Sequence, residues 1–119
     1  MSIAGGTAPD PAVARLPAEG AADHEIMAAR AGEATAMLKA LAHEGRMMIL
    51  CHLASGEKSV GELEMLLNQR QAAVSQQLAR LREDGLVTCR PEGKARLYAI
   101  ADPRVGEVVG VLHRIFCGG

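Results

Sequence analysis

Two short helical patterns, separated by a break of a few residues, constrain the fold of this chain more than any other feature. The first begins at Ser59, and Glu62 three residues later completes the capping box that starts many helices. The second runs from about Gln71 to Glu83 and is followed by Gly85, a residue that commonly ends helices. Asn68 lies in the break between them. Two short helices joined by a tight turn predict a helix-turn-helix.

Helical periodicity continues upstream of this pair. A long helix is predicted from about Ala22 to near His43, and a second helix follows and ends at Ser55-Gly56. Apolar residues that recur at helical spacing indicate the buried face of each helix. They are Ile26, Met27, Met37, Leu38 and Leu41 in the first helix, Met47, Leu50, Cys51 and Ala54 in the second, Val60, Leu63, Leu66 and Leu67 in the third, and Val74, Leu78 and Leu81 in the fourth.

A hairpin and a last helix are predicted downstream. Residues 86–90 and 96–100 are candidate strands around a turn at 91–94. Asp102 and Pro103 then begin a helix as its cap and first residue. The apolar residues of this helix are Val105, Val108, Val109, Leu112 and Phe116.

The predicted fold class is therefore mainly α with a two-stranded β-wing, a winged helix-turn-helix in the order ααααββα. The 119 residues suffice for one domain, and a core with one Tyr, one Phe and no Trp suits packed helices. We place this winged helix-turn-helix domain at residues 22–119. Residues 1–21 are rich in Ala, Gly and Pro and are predicted to form a flexible tail.

Charge is distributed unevenly along a nearly neutral chain. The net charge is -1, yet residues 70–96 hold six basic and three acidic side chains. No secretory signal and no apolar run of about 20 residues is visible, so we expect a cytoplasmic protein without a membrane segment. A local basic excess of this kind is a weak indication of phosphate contacts.

The outward face of the fourth helix favours DNA reading. Small and hydrogen-bonding side chains let a helix enter the major groove, and basic residues in the hairpin suit contacts with phosphates. The alternative to DNA binding is that the helix face is simply solvated and the hairpin is an ordinary basic one. The order of the elements, with the hairpin directly after the second helix of the pair, favours DNA binding over this alternative. The candidate DNA-binding residues are Gln71, Ala72, Ser75 and Gln76, with Ala79 beside them, then Arg80 and Arg82, and in the hairpin Arg90, Lys94 and Arg96.

Three stretches carry a resemblance to a known family. Residues 38–50, 59–63 and 74–87 resemble the ArsR family of bacterial repressors, and the resemblance covers about 34–117. It implies a homodimer with the first and last helices at the interface, bound to an imperfect palindrome of operator DNA.

The signal that such a protein senses is a separate question. Metal sensing is the first alternative, but no cysteine lies between Val60 and Leu67, and Asp102 and His113 are too few for a zinc site on the last helix. We therefore predict no metal site and no cofactor, and a partly buried interface position for His113. Cys51, Cys89 and Cys117 show no CxxC spacing, and an odd count indicates buried thiols, a redox switch or a soft-metal site.

Cys51 and Cys117, with the residues around them, resemble the persulfide- and redox-sensing branch of the family, of the SqrR, BigR and HlyU type. The resemblance implies a dithiol that joins the second helix to the last. On the last helix Gly106, Gly110, His113 and Cys117 form one stripe, and mid-helix glycines predict close packing on a neighbour. Cys89 is assigned no role.

The function hypothesis that follows is a dithiol repressor. The reduced protein binds operator DNA, and it leaves the DNA when reactive sulfur species bridge Cys51 and Cys117. A soft-metal or arsenite sensor and a general peroxide- or redox-responsive repressor remain alternatives. An enzyme such as a thiol peroxidase is disfavoured because no catalytic base or substrate pocket can be recognised in the sequence. The basic residues of the fourth helix and the hairpin disfavour a pure protein-interaction module.

Overall fold

The computed structural model describes residues 21–118, so the predicted tail lies outside the described residues except for its last position. The chain divides into two compact units, Met1–Glu33 and Ala34–Gly119, with the boundary inside helix α1 (Ala21–Leu41). In the first unit, residues 22–33 expose their side chains, and Arg30 pairs with Glu33 at 2.9 Å. No helix within residues 21–118 is long and apolar enough to cross a membrane.

The second unit contains the predicted helix-turn-helix. Helix α2 spans Glu44–Leu53, and α3 (Val60–Leu67) and α4 (Gln71–Glu83) form the pair. The turn between α3 and α4 begins at Asn68, which ends α3 in the left-handed conformation with a φ of 53°. Asn tolerates this conformation better than most residues with a side chain. The predicted break is therefore a tight turn that begins with a left-handed residue.

The first helix ends two residues earlier than expected. Instead of continuing α1, His43 adopts an extended backbone and accepts a hydrogen bond at Nδ1 from the Arg46 amide at 3.3 Å. Arg46 in turn donates from Nε to the carbonyl of Ala40 at 2.9 Å. The side chain of Arg46 thus helps to satisfy the end of α1, while His43 caps the start of α2.

One apolar core holds the second unit together. The inward face predicted for α4 is confirmed, whereas α2 turns Leu53 inward and leaves Ala54 exposed. Helical spacing predicts burial of Leu38, Leu66 and Phe116, but the chain leaves all three exposed. The core residues are Ala40, Leu41, Ile49, Leu50, Leu53, Leu63, Val74, Leu78, Leu81, Leu86, Val87, Val105 and Val109.

The wing is a hairpin with one additional strand. Strands β2 (Val87–Glu92) and β3 (Ala95–Ile100) pair in antiparallel fashion, and the two-residue strand β1 (Lys58–Ser59) adds to the other edge of β3. The predicted four-residue turn is shorter, because Pro91 lies in β2 and faces Arg96. Proline is tolerated there because β2 is an edge strand in the order β1-β3-β2.

The last helix, α5, spans Pro103–Cys117 and packs against α2. Its predicted cap is confirmed, since an Asp102 carboxylate oxygen accepts from the Arg104 amide at 3.0 Å. Val105 and Val109 enter the core. Gly118 ends the helix in the left-handed conformation, with a φ of 71°.

Candidate nucleic-acid interface and thiol pair

Helix α4 presents one apolar and one polar face. Val74, Leu78 and Leu81 are fully buried against the rest of the unit. The candidate reading residues lie on the other face, where Ser75 is half-buried and Gln71, Ala72, Gln76 and Ala79 are exposed. The residue before the helix, Arg70, makes no side-chain cap hydrogen bond to the first amides of α4. A helix start without a side-chain cap, followed by the exposed residues Gln71 and Ala72, suits the approach of a phosphate backbone.

The two arginines at the end of α4 differ in their surroundings. Arg80 lies 3.7 Å from the Asp84 carboxylate, and the side chains of Arg80 and Asp84 are 62% and 36% exposed. Arg82 is exposed and lies close enough to Cys89 for its charge to stabilise the Cys89 thiolate. The basic end of α4 therefore adjoins the base of the wing.

The three basic residues of the wing also have different partners. Lys94 is exposed in the two-residue turn beside Gly93, whose φ is 61°. Arg96 donates from Nη1 to the Cys89 sulfur at 3.2 Å. Arg90 is held by carboxylates of Glu57 and Glu92, which raise its pKa above the ordinary value.

Cys89, to which sequence reasoning assigned no role, lies in a polarised cluster. It faces Tyr98 across the β2–β3 pair, and Arg96 is the diagonal neighbour. Partial burial alone raises the pKa of Cys89, but hydrogen bonds from Arg96 and Tyr98 and the charge of Arg82 outweigh it, so the pKa is lowered. A two-residue turn fixes the strand register of the hairpin, and that register would have indicated the pairing of Cys89 with Tyr98.

Cys51 lies on α2 and Cys117 on α5, two helices that pack against each other. Cys51 is half-buried against the core, and Cys117, the last residue of α5, is exposed. Burial raises the pKa of the Cys51 thiol, and the negative charge of a nearby Cys117 thiolate raises it further. Both thiols are free. The structure thus brings the two predicted cysteines within electrostatic range of each other.

The two glycines of the stripe on α5 have no close neighbour elsewhere in the part of the chain that the structure describes. A Cβ added to Gly106 or Gly110 meets no atom within 4 Å. His113, expected to be partly buried, is exposed in the chain by itself, as is Cys117. Among residues 21–118, no group of three or more His, Cys, Asp or Glu side chains could hold a metal ion.

Comparison with known proteins identifies the family. The model of the bacterial regulatory protein, arsR family, matches residues 43–88. The biofilm growth-associated repressor of Agrobacterium fabrum is 47% identical over 91 residues, 76% of this chain and 78% of that protein. The transcriptional activator HlyU of Vibrio cholerae is 43% identical over 91 residues, 76% of this chain and 84% of that protein.

A solved structure agrees with these relatives. The transcriptional repressor BigR from Xylella fastidiosa aligns with a TM-score of 0.75 and 41% identity, over 79% of this chain and 96% of that one. This match confirms the predicted winged-helix fold. The relatives are named as regulators of transcription and not as enzymes, which confirms the prediction of a non-enzymatic protein. The chain belongs to the ArsR family of bacterial regulatory proteins and is a transcriptional regulator of the BigR and HlyU type.

Proposed function

We propose that this protein is a homodimeric repressor that binds operator DNA when reduced and leaves it when Cys51 and Cys117 are bridged by reactive sulfur species. The observation that carries the proposal is the proximity of these two thiols across the α2–α5 contact. A bridge there ties a core helix to the last helix. The protein acts where its operator is, in the cytoplasm.

The DNA-binding surface combines the exposed face of α4 with the wing. Gln71 and Gln76 suit hydrogen bonds to adenine, and Ala72 lets the helix approach the base edges closely. The hydroxyl of Ser75 suits a hydrogen bond to a base or a phosphate. Arg80, Arg82, Lys94 and Arg96 supply positive charge for the flanking backbone, and Arg90 lies in the middle of β2.

Dimerisation is supported by apolar side chains that the second unit leaves in solvent. Leu38 on α1 and Ile115 and Phe116 on α5 are 56%, 51% and 81% exposed. Exposed apolar groups of this size favour burial against another protein surface. A second copy packed on α5 also accounts for Gly106 and Gly110, because within residues 21–118 no other part of the chain comes near either glycine. We take residues 22–119 as the functional domain.

The chemistry begins at the more accessible thiol. The Cys117 thiolate attacks the outer sulfur of a persulfide donor, becomes a persulfide, and releases the donor as a thiolate. The Cys51 thiolate then attacks the Cys117-bound sulfur, forming a disulfide and expelling hydrosulfide. If Cys51 has also become a persulfide, its terminal sulfur makes the same attack and the product is a trisulfide, again with hydrosulfide as leaving group. The donor's sulfane sulfur is the oxidant in both routes.

The bridge acts by changing the relation between the two reading helices of the dimer. Neighbouring major-groove sites lie about 34 Å apart, so a small rotation of one subunit misplaces one helix. A coupling of about 1–3 kcal/mol lowers operator affinity roughly five- to hundred-fold.

Mass spectrometry of intact protein tests the proposal. Reduced, metal-free protein is treated separately with glutathione persulfide, hydrogen peroxide and oxidised glutathione, then digested to locate bridges. We expect a Cys51–Cys117 bridge, with additional sulfur only after the persulfide donor. A plain disulfide with every oxidant indicates a general redox switch, and no bridge at all favours the soft-metal sensor.

Gel shifts with matched variants connect the bridge to DNA release. Cys51→Ser and Cys117→Ser should bind DNA when reduced and should not be released by the donor. Cys89→Ser is the control, and it should be released like wild type. Loss of DNA binding by the reduced Cys51 and Cys117 variants contradicts the proposal.

A further inference from the structure

Arg90 is the most completely engaged of the basic residues in the wing. Its Nε donates to Glu57 Oε2 at 2.8 Å and its Nη2 to Glu57 Oε1 at 2.8 Å, a bidentate pair. Its Nη1 donates to Glu92 Oε1 at 2.7 Å. All three guanidinium nitrogens therefore face carboxylates of this chain.

The pair with Glu57 crosses the sheet from one edge to the other. Across the three strands, Arg90 on β2 lies opposite Leu97 on β3, and Leu97 lies opposite Ser59 on β1. Glu57 immediately precedes β1, and Ser59 is also the N-cap of α3. Arg90 thus reaches over β3 and binds the segment that begins the helix-turn-helix.

This connection matters because the joint between wing and helices is short. Strand β1 has two residues, Lys58 and Ser59, so its ladder with β3 offers few hydrogen bonds. A bidentate Arg–carboxylate pair also restrains direction, because the planar guanidinium fits a carboxylate in one plane. Arg90 and Glu57 therefore restrain how the hairpin is oriented relative to α3.

The local charge is unfavourable for a phosphate at this position. One guanidinium lies between two carboxylates, those of Glu57 and Glu92, so the cluster carries a net negative charge at neutral pH. Lys94, by contrast, is exposed at the turn, and within residues 21–118 it forms no ion pair. A DNA backbone is attracted to such a side chain more than to the neutralised Arg90.

We propose that Arg90 is a positioning residue, which through Glu57 holds the wing in its DNA-binding orientation, and that it is not itself a phosphate ligand. The proposal rests on the operator binding proposed above. It assigns Glu57, an acidic residue, a favourable role in DNA affinity. This is the opposite of what simple charge repulsion between Glu57 and DNA predicts.

The test compares Glu57→Gln, Arg90→Gln and the double variant, with Lys94→Gln as the matched control. Affinity is measured by fluorescence anisotropy over a salt series. The probe is a labelled duplex selected from random-sequence DNA by reduced wild-type protein. Thermal unfolding followed by circular dichroism checks that each variant is folded. None of these side chains belongs to the buried core, so the substitutions leave its packing intact.

We expect Glu57→Gln and Arg90→Gln each to weaken binding about three- to tenfold, and the double variant to be no weaker than either. Their salt dependence should match that of wild type. Lys94→Gln should instead reduce the salt slope by about one, because one phosphate is no longer neutralised.

Three results overturn the inference. If Glu57→Gln binds DNA as tightly as wild type or more tightly, the carboxylate only repels DNA and Arg90 is not positioned through it. If Arg90→Gln reduces the salt slope as Lys94→Gln does, Arg90 contacts phosphate directly. If wild-type protein selects and binds no duplex, the proposed function fails, and the inference fails with it.

Discussion

Removing the side-chain cap of α3 should destabilise the protein by an amount that the capping geometry sets. Ser59 Oγ accepts from the Glu62 amide at 3.1 Å, and Glu62 Oε1 accepts from the Ser59 amide at 2.8 Å. Ser59→Ala removes the first of these bonds and leaves the backbone pairing with Leu97 in place. The expected loss is about 1 kcal/mol, the usual cost of replacing a Ser cap by Ala. Helix α3 has eight residues, too few for stability by itself, so it depends on this cap together with its packing on the core.

Urea unfolding of reduced protein measures this effect, at one fixed protein concentration because dimerisation is coupled to stability. A loss of about 1 kcal/mol lowers the Tm of a domain of roughly 60–100 residues by about 4–8 °C. Ser59→Thr is the matched control, since its hydroxyl can still accept the hydrogen bond. The reasoning is refuted if Ser59→Ala unfolds at the wild-type urea concentration, or if Ser59→Thr is as destabilised as Ser59→Ala.

Three further predictions concern the core, the wing and the thiols. Leu78→Ala, at a position with no exposed surface, should lower the free energy of unfolding by about 2–5 kcal/mol in the same urea assay, while Ala79→Ser beside it should have little effect. Because Arg90 lowers the pKa of Glu57, their pair stabilises the fold above the ordinary carboxyl range and loses this contribution as the pH falls through the lowered pKa. The stability difference between wild type and Glu57→Gln should therefore be larger at about pH 7 than at about pH 3, and an unchanged difference contradicts the pairing. Iodoacetamide should alkylate Cys89 at lower pH than Cys51, because the pKa of Cys89 is lowered and the pKa of Cys51 is raised. Peptide mass spectrometry over a pH series measures the alkylation of both cysteines. Alkylation of Cys51 at lower pH than Cys89 would contradict these environments.

Local patterns predicted the helices and missed the interactions between distant segments. The capping box at Ser59 and the buried face of α4 follow from residues three or four positions apart, and both are correct. Strand β1 has only two residues and therefore no periodicity that could reveal it. The pair between Arg90 and Glu57 joins residues 33 positions apart, so Arg90 looked like one more basic residue of the hairpin.

The buried face of α2 shows a second limit of pattern reasoning. Met47, Cys51 and Ala54 are nearly as apolar as Ile49 and Leu53, so two adjacent faces of this helix fit the same periodicity. Packing decides between them, because Ile49 and Leu53 fill the space beneath the other helices. The difference matters for function, since it leaves Cys51 at the edge of the core and not inside it.

This edge position leaves Cys51 partly accessible while it stays next to the core that α2 shares with the proposed DNA-reading helix α4. Cys51 directly follows Leu50, which is fully buried, on a helix that packs against α3, α4 and α5. A bridge to Cys117 that pulls on α2 must move Leu50, and a close-packed core transmits such a shift to the residues around it. Cys89 lies on the wing, whose strands pair mainly with each other. Modification of Cys89 should therefore displace the core less than a bridge between Cys51 and Cys117 does. For this reason we expect release from DNA to follow bridging of Cys51 and Cys117 and not the loss of thiols in general.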